Sequence, residues 1–468
     1  MLLQTDFFVL FQIPKRVILV ISIPVLPPKS KLKINSMELT GSEKLYHLFR
    51  QHPYISIDSR KTQAGSIFFA LKGDNFDGNR FAAKALELGA AYAVIDDPAF
   101  YAGEKTLLTT DVLSALQILA SDYRKSLNIP IIGITGTNGK TTSKELIHAA
   151  LSSRFTTHAT IGNLNNHIGV PLTLLTITPE TEIAVVEMGA NHIGEIAALC
   201  AIAKPTHGII TNIGKAHLEG FGSPEGVVIA KNELYEHLRA YGGTAFVNLD
   251  NELLNKLSHE IQRITYGSSG TAKYRGSVSG TRPFLSVTLH SPAQVEINSQ
   301  LTGMYNFENI MAAMAVAGHF RANLISAAES IERYIPRMNR SQVIETGNNS
   351  LVLDAYNANP SSMQAALVNF SGSDAGSKSV ILGDMFELGT MAAEEHLNIL
   401  KLAMESGFRN ILTAGPHFLQ AKSGFNSVVG FETTEELHNY LKNHPMKGEV
   451  ILIKGSRGMK LETITDVL

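Results

Sequence analysis

Ten residues, Gly133 to Thr142 (GITGTNGKTT), constrain this chain more than any other stretch. An apolar run at 131–135 leads into them and a helical pattern at 141–151 leads out. A glycine-rich turn between strand and helix aims successive backbone N–H groups at one point. The helix N-terminus adds partial positive charge, so such a turn holds an anion. In a nucleotide-binding loop the lysine after the last glycine reaches the β and γ phosphates, and the next hydroxyl ligates Mg²⁺. Here those are Lys140 and Thr141, in a loop that also contains Thr137, Asn138 and Thr142. The strict pattern has a glycine where this chain has Ile134, so the loop is a variant hinged on Gly136 and Gly139. The plain alternative, a βα turn without a ligand, leaves the GKTT ending unexplained. The loop does not name a reaction, because kinases, switches, motors and ligases all use one.

With 468 residues the chain is too long for one core, and about three domains of roughly 150 residues are expected. The order of apolar runs agrees. Residues 37–125 alternate short strands (66–71, 91–95) with helices (80–88, 113–126) and read as a small α/β domain. Residues 126–338 repeat strand, glycine-rich turn and helix, with continuous apolar strands at 131–135, 183–188 and 208–213. Such strands indicate a parallel sheet covered on both faces. Residues 271–300 alternate and read as a small antiparallel insertion. Residues 339–468 restart the βα alternation (strands near 351–354, 380–382, 411–414 and 450–453; helices near 361–370 and 394–406) and read as a separate Rossmann-like domain. Residues 1–36 stand apart. Their apolar run, VILVISIPVL, is broken by Pro24 and is about half the roughly 20 residues that span a bilayer. They read as an upstream extension or a wrongly chosen start outside the fold, with a targeting segment as the alternative, and no stable membrane insertion is expected. Lys+Arg 40 against Asp+Glu 42 offers no field for nucleic acid. The single cysteine, Cys200, rules out an intrachain disulfide and fits the cytoplasm.

Polar residues at strand ends locate the chemistry. Glu187 ends the run IAVVEM, and His217 follows GIITNI; in a parallel sheet both belong at the carboxyl edge that carries the phosphate loop. A carboxylate near phosphates suits Mg²⁺, which prefers oxygen. Taken singly, Glu187 reads equally as a strand-end charge and His217 as a loop histidine. Lys231, in EGVVIAKNELYEHL, reads as a surface lysine, and Asn165 and Asn166 read as turn residues.

The segments TGTNGKT, GNLNNHIGVP, EMGANHIGEIA and TNIGKAHLEGFGS together resemble the Mur ligase family. Within it, DAYNANPSSMQAAL (354–367), LGDMFELG (382–389) and KGSRGMKLE (454–462) are similar to the member that joins D-alanyl-D-alanine to UDP-N-acetylmuramoyl-tripeptide. The resemblance runs from about Met37 to the C-terminus. It implies a UDP-sugar domain, a central ATPase and a Rossmann-like domain, acting as a monomer on ATP with Mg²⁺. It implies catalytic roles for Lys140, Lys231, His217 and Asn166. Lys231 matches a carbamylated lysine, whose added carboxylate supplies the oxygen that Mg²⁺ favours. Thr141, Glu187, His217 and carbamylated Lys231 form the metal set. Asn306 and Asn309 match asparagines near adenine, Asp354 a ribose contact and Arg340 a contact to the terminal phosphate. Ser59, Arg60, Gly73, Asn357 and Asn359 match substrate contacts. The chain departs from the family pattern at Leu353, where a second acid often precedes Asp354, and in the linker IPRMNRSQ, which lacks the usual Gly-Arg.

The implied chemistry is carboxylate activation: ATP converts a poor acyl donor into an acyl phosphate, which an amine then attacks. Catalysis by positioning and charge neutralisation follows, and closure of the C-terminal domain would exclude water. His192 reads either as a general base or as a cap on the helix IGEIAAL. Other readings are a sister ligase with another amino acid or a folate-type substrate, a phosphate-transferring kinase or NTPase, and a binding module without turnover.

Overall fold

The computed structural model describes residues 33–34, 37–281, 284–336, 339–373 and 376–468, with side chains from Leu39 onward. The reading of residues 1–36 therefore falls almost wholly outside the described residues. No described helix is long and apolar enough to cross a membrane.

A four-stranded parallel sheet opens the fold, in the order Ile55–Ser56, Ile67–Phe69, Tyr92–Ile95 and Thr106–Leu108. The helix Val112–Ser126 begins at the cap Asp111, whose carboxylate accepts from Ser114 N. It joins this sheet to the next unit. Tyr123 meets Phe49 edge to face on one side, and its hydroxyl donates to Ile177 O at 2.6 Å on the other. Buried Arg124 donates to the carbonyls of Ala203 and Lys204, at the C-terminal end of the helix Glu195–Ala203. A guanidinium there satisfies carbonyls that have no helical partner.

The central sheet has nine strands, in the order Thr157–Ala159, Ile183–Glu187, Ile131–Thr135, His207–Ile210, Thr244–Asn248, Gln262–Gly267, Tyr274–Gly280, Ser286–Ser291 and Val295–Asn298. The first seven run parallel and the last two antiparallel. Residues 271–300 thus extend the main sheet rather than forming a separate insertion, because Tyr274–Gly280 pairs in parallel with the preceding strand. Every residue of Ile131–Thr135 and Ile183–Glu187 is buried, as continuous apolar runs require. The strand Ile131–Thr135 lies between Ile183–Glu187 and His207–Ile210, with Glu187 beside Ile134 and Ile210 beside Thr135. This register brings the carboxyl ends of all three strands to one place.

The last unit is a six-stranded sheet, in the order Gln342–Glu345, Ser350–Leu353, Glu449–Lys454, Ser377–Gly383, Ile411–Ala414 and Val428–Phe431. Only the first pair is antiparallel. The final strand, Glu449–Lys454, enters between earlier ones, so the chain reverses its winding there. Ligands bind at such points in open α/β sheets. Asp354 and Lys454 both lie at this edge.

Candidate active site

The phosphate loop is held from below by the neighbouring strand end. Thr137 N donates to Asn212 O at 2.9 Å, Asn138 N to Asn212 Oδ1 at 2.9 Å, and Thr211 Oγ1 to Asn138 O at 2.6 Å. Two positions accept only glycine. Gly136 has φ +143°, and a Cβ there would collide with Thr211 Oγ1. Gly139 has φ +78°, and a Cβ would lie 2.8 Å from Asn309 Oδ1. The helix Lys140–Ser152 starts directly after it. Lys140 Nζ folds back onto the carbonyls of Gly136 (2.7 Å) and Thr137 (3.1 Å). Burial lowers the Lys140 pKa and Arg340 adds to that, while Glu187 opposes it.

Thr141 and Glu187 meet as the strand-end argument requires. Thr141 Oγ1 donates to the Glu187 carboxylate, 3.2 and 3.0 Å from its two oxygens. Asn165 Nδ2 donates to Glu187 Oε1 at 2.8 Å. Glu187 is 1% exposed and Thr141 4%, so the carboxylate is held by donors and not by water. Asn309 and Asn306 form a relay behind the loop: Ser143 Oγ donates to Asn309 Oδ1 (2.8 Å), Asn309 Nδ2 to Asn306 Oδ1 (2.8 Å), and Asn306 Nδ2 to Thr302 O (2.7 Å).

A cavity of about 1050 Å³ opens above the loop. It is lined by residues 137–142, Asn165, Asn166, Glu187 and His217 of the central unit and by Arg340, Asp354, Asn357 and Asn359 of the last. Asn138 and Asn359 join the two units directly, with Asn359 Nδ2 donating to Asn138 Oδ1 at 2.9 Å. Asn359 also caps the helix Pro360–Ser371, accepting from Ser362 N at 2.9 Å. Three further contacts cross the same seam. Lys215 Nζ meets Glu395 Oε1 at 2.6 Å, Lys215 N donates to Ser361 Oγ at 2.8 Å, and His217 Nδ1 contacts the Glu387 carboxylate. The His217 contact lowers the Glu387 pKa. The C-terminal unit therefore already covers the phosphate loop.

Arg340 stacks on Tyr356, 3.7 Å from the ring centroid, and its Nε is buried without a hydrogen-bond partner among the described residues. An unpartnered guanidinium N–H beside a phosphate loop fits an anionic ligand. Asp354 is engaged on both oxygens, by Lys454 Nζ at 2.6 Å and Ser341 N at 3.2 Å. Lys454, 3% exposed, was not singled out by the sequence, since its partner lies 100 residues away.

Lys231 is a buried residue, not the surface lysine that its helix pattern suggests. It is 2% exposed, its Nζ lies over the Phe221 ring at 5.0 Å, and among the described residues it donates a single long bond, to Ala190 O (3.3 Å). Burial, helped by Lys140, lowers its pKa to about 7. His217 packs edge-on against the same Phe221, at 6.3 Å between ring centres. Asn166 caps the helix Gly169–Leu175, its Oδ1 accepting from Ile168 N (3.1 Å) and Gly169 N (2.9 Å). His192 is exposed and paired with Glu195 at 3.2 Å. Ser59, Arg60 and Gly73 are not part of the cavity lining. Arg60 there makes two 2.9 Å bonds to Asp58, whose pKa they lower to about 2.

The oxygens at this site suit Mg²⁺. No described cluster of three His, Cys, Asp or Glu forms a complete protein cage. Mg²⁺ is usually bound by one or two carboxylates together with nucleotide phosphates and water. Glu187 beside the Thr141 hydroxyl supplies that kind of partial set.

Comparison with known proteins gives the same reading. Three family models match in chain order: the Mur ligase family catalytic domain over residues 53–130, the Mur ligase middle domain over 134–317 and the Mur ligase glutamate ligase domain over 339–457. The UDP-N-acetylmuramoyl-tripeptide–D-alanyl-D-alanine ligase of Bacillus subtilis (strain 168) is 35% identical over 421 residues, spanning 88% of this chain and 92% of that one. The enzyme of the same name from Escherichia coli (strain K12) is 33% identical over 423 residues, spanning 88% and 93%. Among solved structures, MurF from Acinetobacter baumannii superposes with a TM-score of 0.80 at 30% identity, covering 88% of this chain and 92% of that one. MurF from Thermotoga maritima in complex with ADP gives 0.78 at 25% identity, covering 88% and 96%. Relatives of 33–35% identity are matched along more than nine-tenths of their own length, three family models follow one another along the chain, and the chain belongs to the Mur ligase family.

Proposed function

We propose that this chain is an ATP-dependent ligase that joins D-alanyl-D-alanine to UDP-N-acetylmuramoyl-tripeptide in cytoplasmic peptidoglycan precursor synthesis. The observation that carries the reading is the cavity shared by the phosphate loop, Glu187, Arg340 and the segment Asp354–Asn359. The second unit docks on the loop itself, at Asn359 and Asn138, and the curated relatives matched over 88% of this chain carry the ligase name.

The substrate carboxylate attacks the γ-phosphorus of ATP and ADP departs. The amine nitrogen of the dipeptide then attacks the acyl carbon, phosphate leaves, and the nitrogen loses a proton. Lys140 leaves the loop carbonyls for the phosphates, and the free Arg340 Nε meets the terminal phosphate. Both offset charge that grows during transfer. Thr141 and Glu187 would hold one Mg²⁺, and His217 with Lys231, as its carbamate, a second. The metal's contribution when bound is neutralisation of phosphoryl charge. Carbamylation adds CO₂ to a neutral amine with loss of a proton, and a buried lysine with a pKa of about 7 presents that neutral amine at physiological pH. Asn306, Asn309 and Asp354 all line the cavity; the asparagines would meet the adenine, and Asp354, fixed by Lys454, the ribose. Asn357 and Asn359 lie toward the substrate. Ser59, Arg60 and Gly73 receive the UDP end. Asn166 acts by holding its loop, through the cap it supplies.

The test is phosphate release from ATP in the presence of UDP-N-acetylmuramoyl-tripeptide, with and without D-alanyl-D-alanine. Release that requires both, with a product heavier by the dipeptide, is expected. Release indifferent to the dipeptide would reject the ligase reading in favour of an ATPase of this fold.

A further inference from the structure

Lys144 is a fully buried charge that the mechanism above does not use. It lies one helical turn after Lys140 and its side chain is 0% exposed. Burying an ammonium is costly unless it is paired and hydrogen-bonded, and this one is. Its Nζ donates to Thr160 O at 2.6 Å and Gly162 O at 3.0 Å, and lies 3.0 Å from Glu145 Oε1 and 3.9 Å from Glu187 Oε2. The two carbonyls belong to the loop after the strand Thr157–Ala159. That loop has no ladder or helix of its own until Gly169; backbone bonds tie it to the neighbouring strand at Thr160 N–Val185 O and Gly189 N–Asn165 O, and the stretch between them, at Gly162, is held by Lys144. Downstream it lines the cavity with Asn163, Asn165, Asn166 and His167. Its far end is held by Gln117 Nε2, which donates to His167 O at 3.0 Å from the helix Val112–Ser126.

We propose that Lys144 is a positioning residue that clamps the 160–167 loop to the phosphate-binding helix, so that the acceptor side of the cavity is set in register with Thr141 and Glu187. The proposal rests on the ligase reading for its kinetic consequence but not for its structural one. Two of the three ammonium donors bind the loop, and the same charge faces the carboxylate that Thr141 and Asn165 also hold. Loss of the clamp leaves the phosphate loop intact, because that loop is held separately by Thr211 and Asn212. It frees the acceptor side.

The test uses the full chain with Lys144→Met, which keeps the apolar stem and removes the donors. Hydrogen exchange is expected to accelerate about tenfold or more across residues 160–167 and to stay unchanged across 133–142. ADP affinity should stay within about threefold of the parent, while kcat falls about 10²-fold, as misplacement of a reacting group by about 1 Å does. Unchanged exchange at 160–167, or full kcat, overturns the proposal. So does a parallel loss of ADP affinity and kcat with faster exchange throughout, which marks Lys144 as a general stabiliser. If Lys144→Met does not fold, Lys144→Gln carries the same test: it keeps a donor too short to reach both carbonyls, and the same split is expected at smaller size. Absence of dipeptide-dependent phosphate release in the parent rejects the ligase reading instead, and the exchange measurement still decides the clamp.

Discussion

The two ends of the substrate path are built differently. At the nucleotide end, Thr141, Glu187, Asn306 and Asn309 are all buried and tied to one another or to the backbone. At the end proposed to receive the UDP group, the Arg60 side chain is 86% exposed and paired with Asp58, and Gly73 lies on an exposed two-residue strand. Donors fixed by a folded core need no reorganisation when charge develops, which is where catalytic electrostatics gains most. Exposed side chains take up their final geometry on binding and act mainly on affinity. Substitutions at the nucleotide end should therefore cut kcat, and those at the UDP end should raise KM.

The largest effect is expected from Lys140→Ala and Thr141→Val. Each removes one group proposed to face the phosphates, and Thr141→Val also strips a donor from buried Glu187. Loss of a single preorganised donor costs about 10²–10³-fold in kcat. Dipeptide-dependent phosphate release should fall by at least that much, and retention of more than about a tenth of parental kcat would break the contrast between the two ends.

Lys231→Ala comes next. An inactive variant partly rescued by short-chain carboxylates is expected if a carbamate oxygen is what this position supplies. The pH dependence has a definite sign. The folded pKa is about 7, below the ordinary 10.5, so the amine is protonated and inert below that value and neutral above it. Incorporation of ¹³C-labelled bicarbonate, read as a carbamate carbonyl signal, should rise as pH climbs through about 7. A signal that is flat across that range, or one of equal size in Lys231→Ala, would remove the lysine from the metal set.

What the sequence revealed follows the same division. The strand Ile131–Thr135 with its loop, and the acids and hydroxyls at neighbouring strand ends, were legible because apolar runs and parallel register place them without tertiary information. The strands Thr157–Ala159, Thr244–Asn248 and Gln262–Gly267 were not, since they are short or of mixed polarity and are fixed by pairing with distant chain. Lys231 looked like a surface lysine because helical spacing alone does not report that Phe221 and the backbone at Ala190 cover it. Lys454 opens the motif KGSRGMKLE, but its pairing was not legible for a related reason: the partner, Asp354, lies 100 residues earlier. Asn166 and Asn359 were identified through the family resemblance alone, and the structure adds that both side chains cap helices.

A smaller effect tests the seam that covers the nucleotide end. Glu395 is buried, 5% exposed at its side chain, and meets Lys215 across the boundary. Glu395→Gln keeps the shape and removes the charge. With nucleotide affinity unchanged, kcat should fall about tenfold, equivalent to roughly 1.4 kcal/mol, because the closed arrangement is less populated. X-ray scattering in the presence of ADP should show a larger radius of gyration than the parent. An unchanged radius with unchanged kcat would mean that the Asn138–Asn359 contact holds the seam without the ion pair.

The smallest effect belongs to the exposed end. Arg60→Ala removes a side chain whose present partner is a solvent-exposed carboxylate, and charges so placed contribute little individually. The KM for UDP-N-acetylmuramoyl-tripeptide should rise about threefold with kcat unchanged. The pKa of Asp58, now held near 2 by its bonds to Arg60, should return toward the ordinary carboxylate range, which side-chain carboxyl NMR can follow. The two readouts separate two meanings of the exposed pair. A shift at Asp58 without any change in KM makes Arg60 a local brace for its own turn. A change in KM that disappears when the substrate lacks the uridine diphosphate places the guanidinium on the nucleotide handle, far from the chemistry. A loss in kcat comparable to that of Thr141→Val would mean that the UDP end is as preorganised as the nucleotide end, and the division between core-built and surface-built halves of the site would fail.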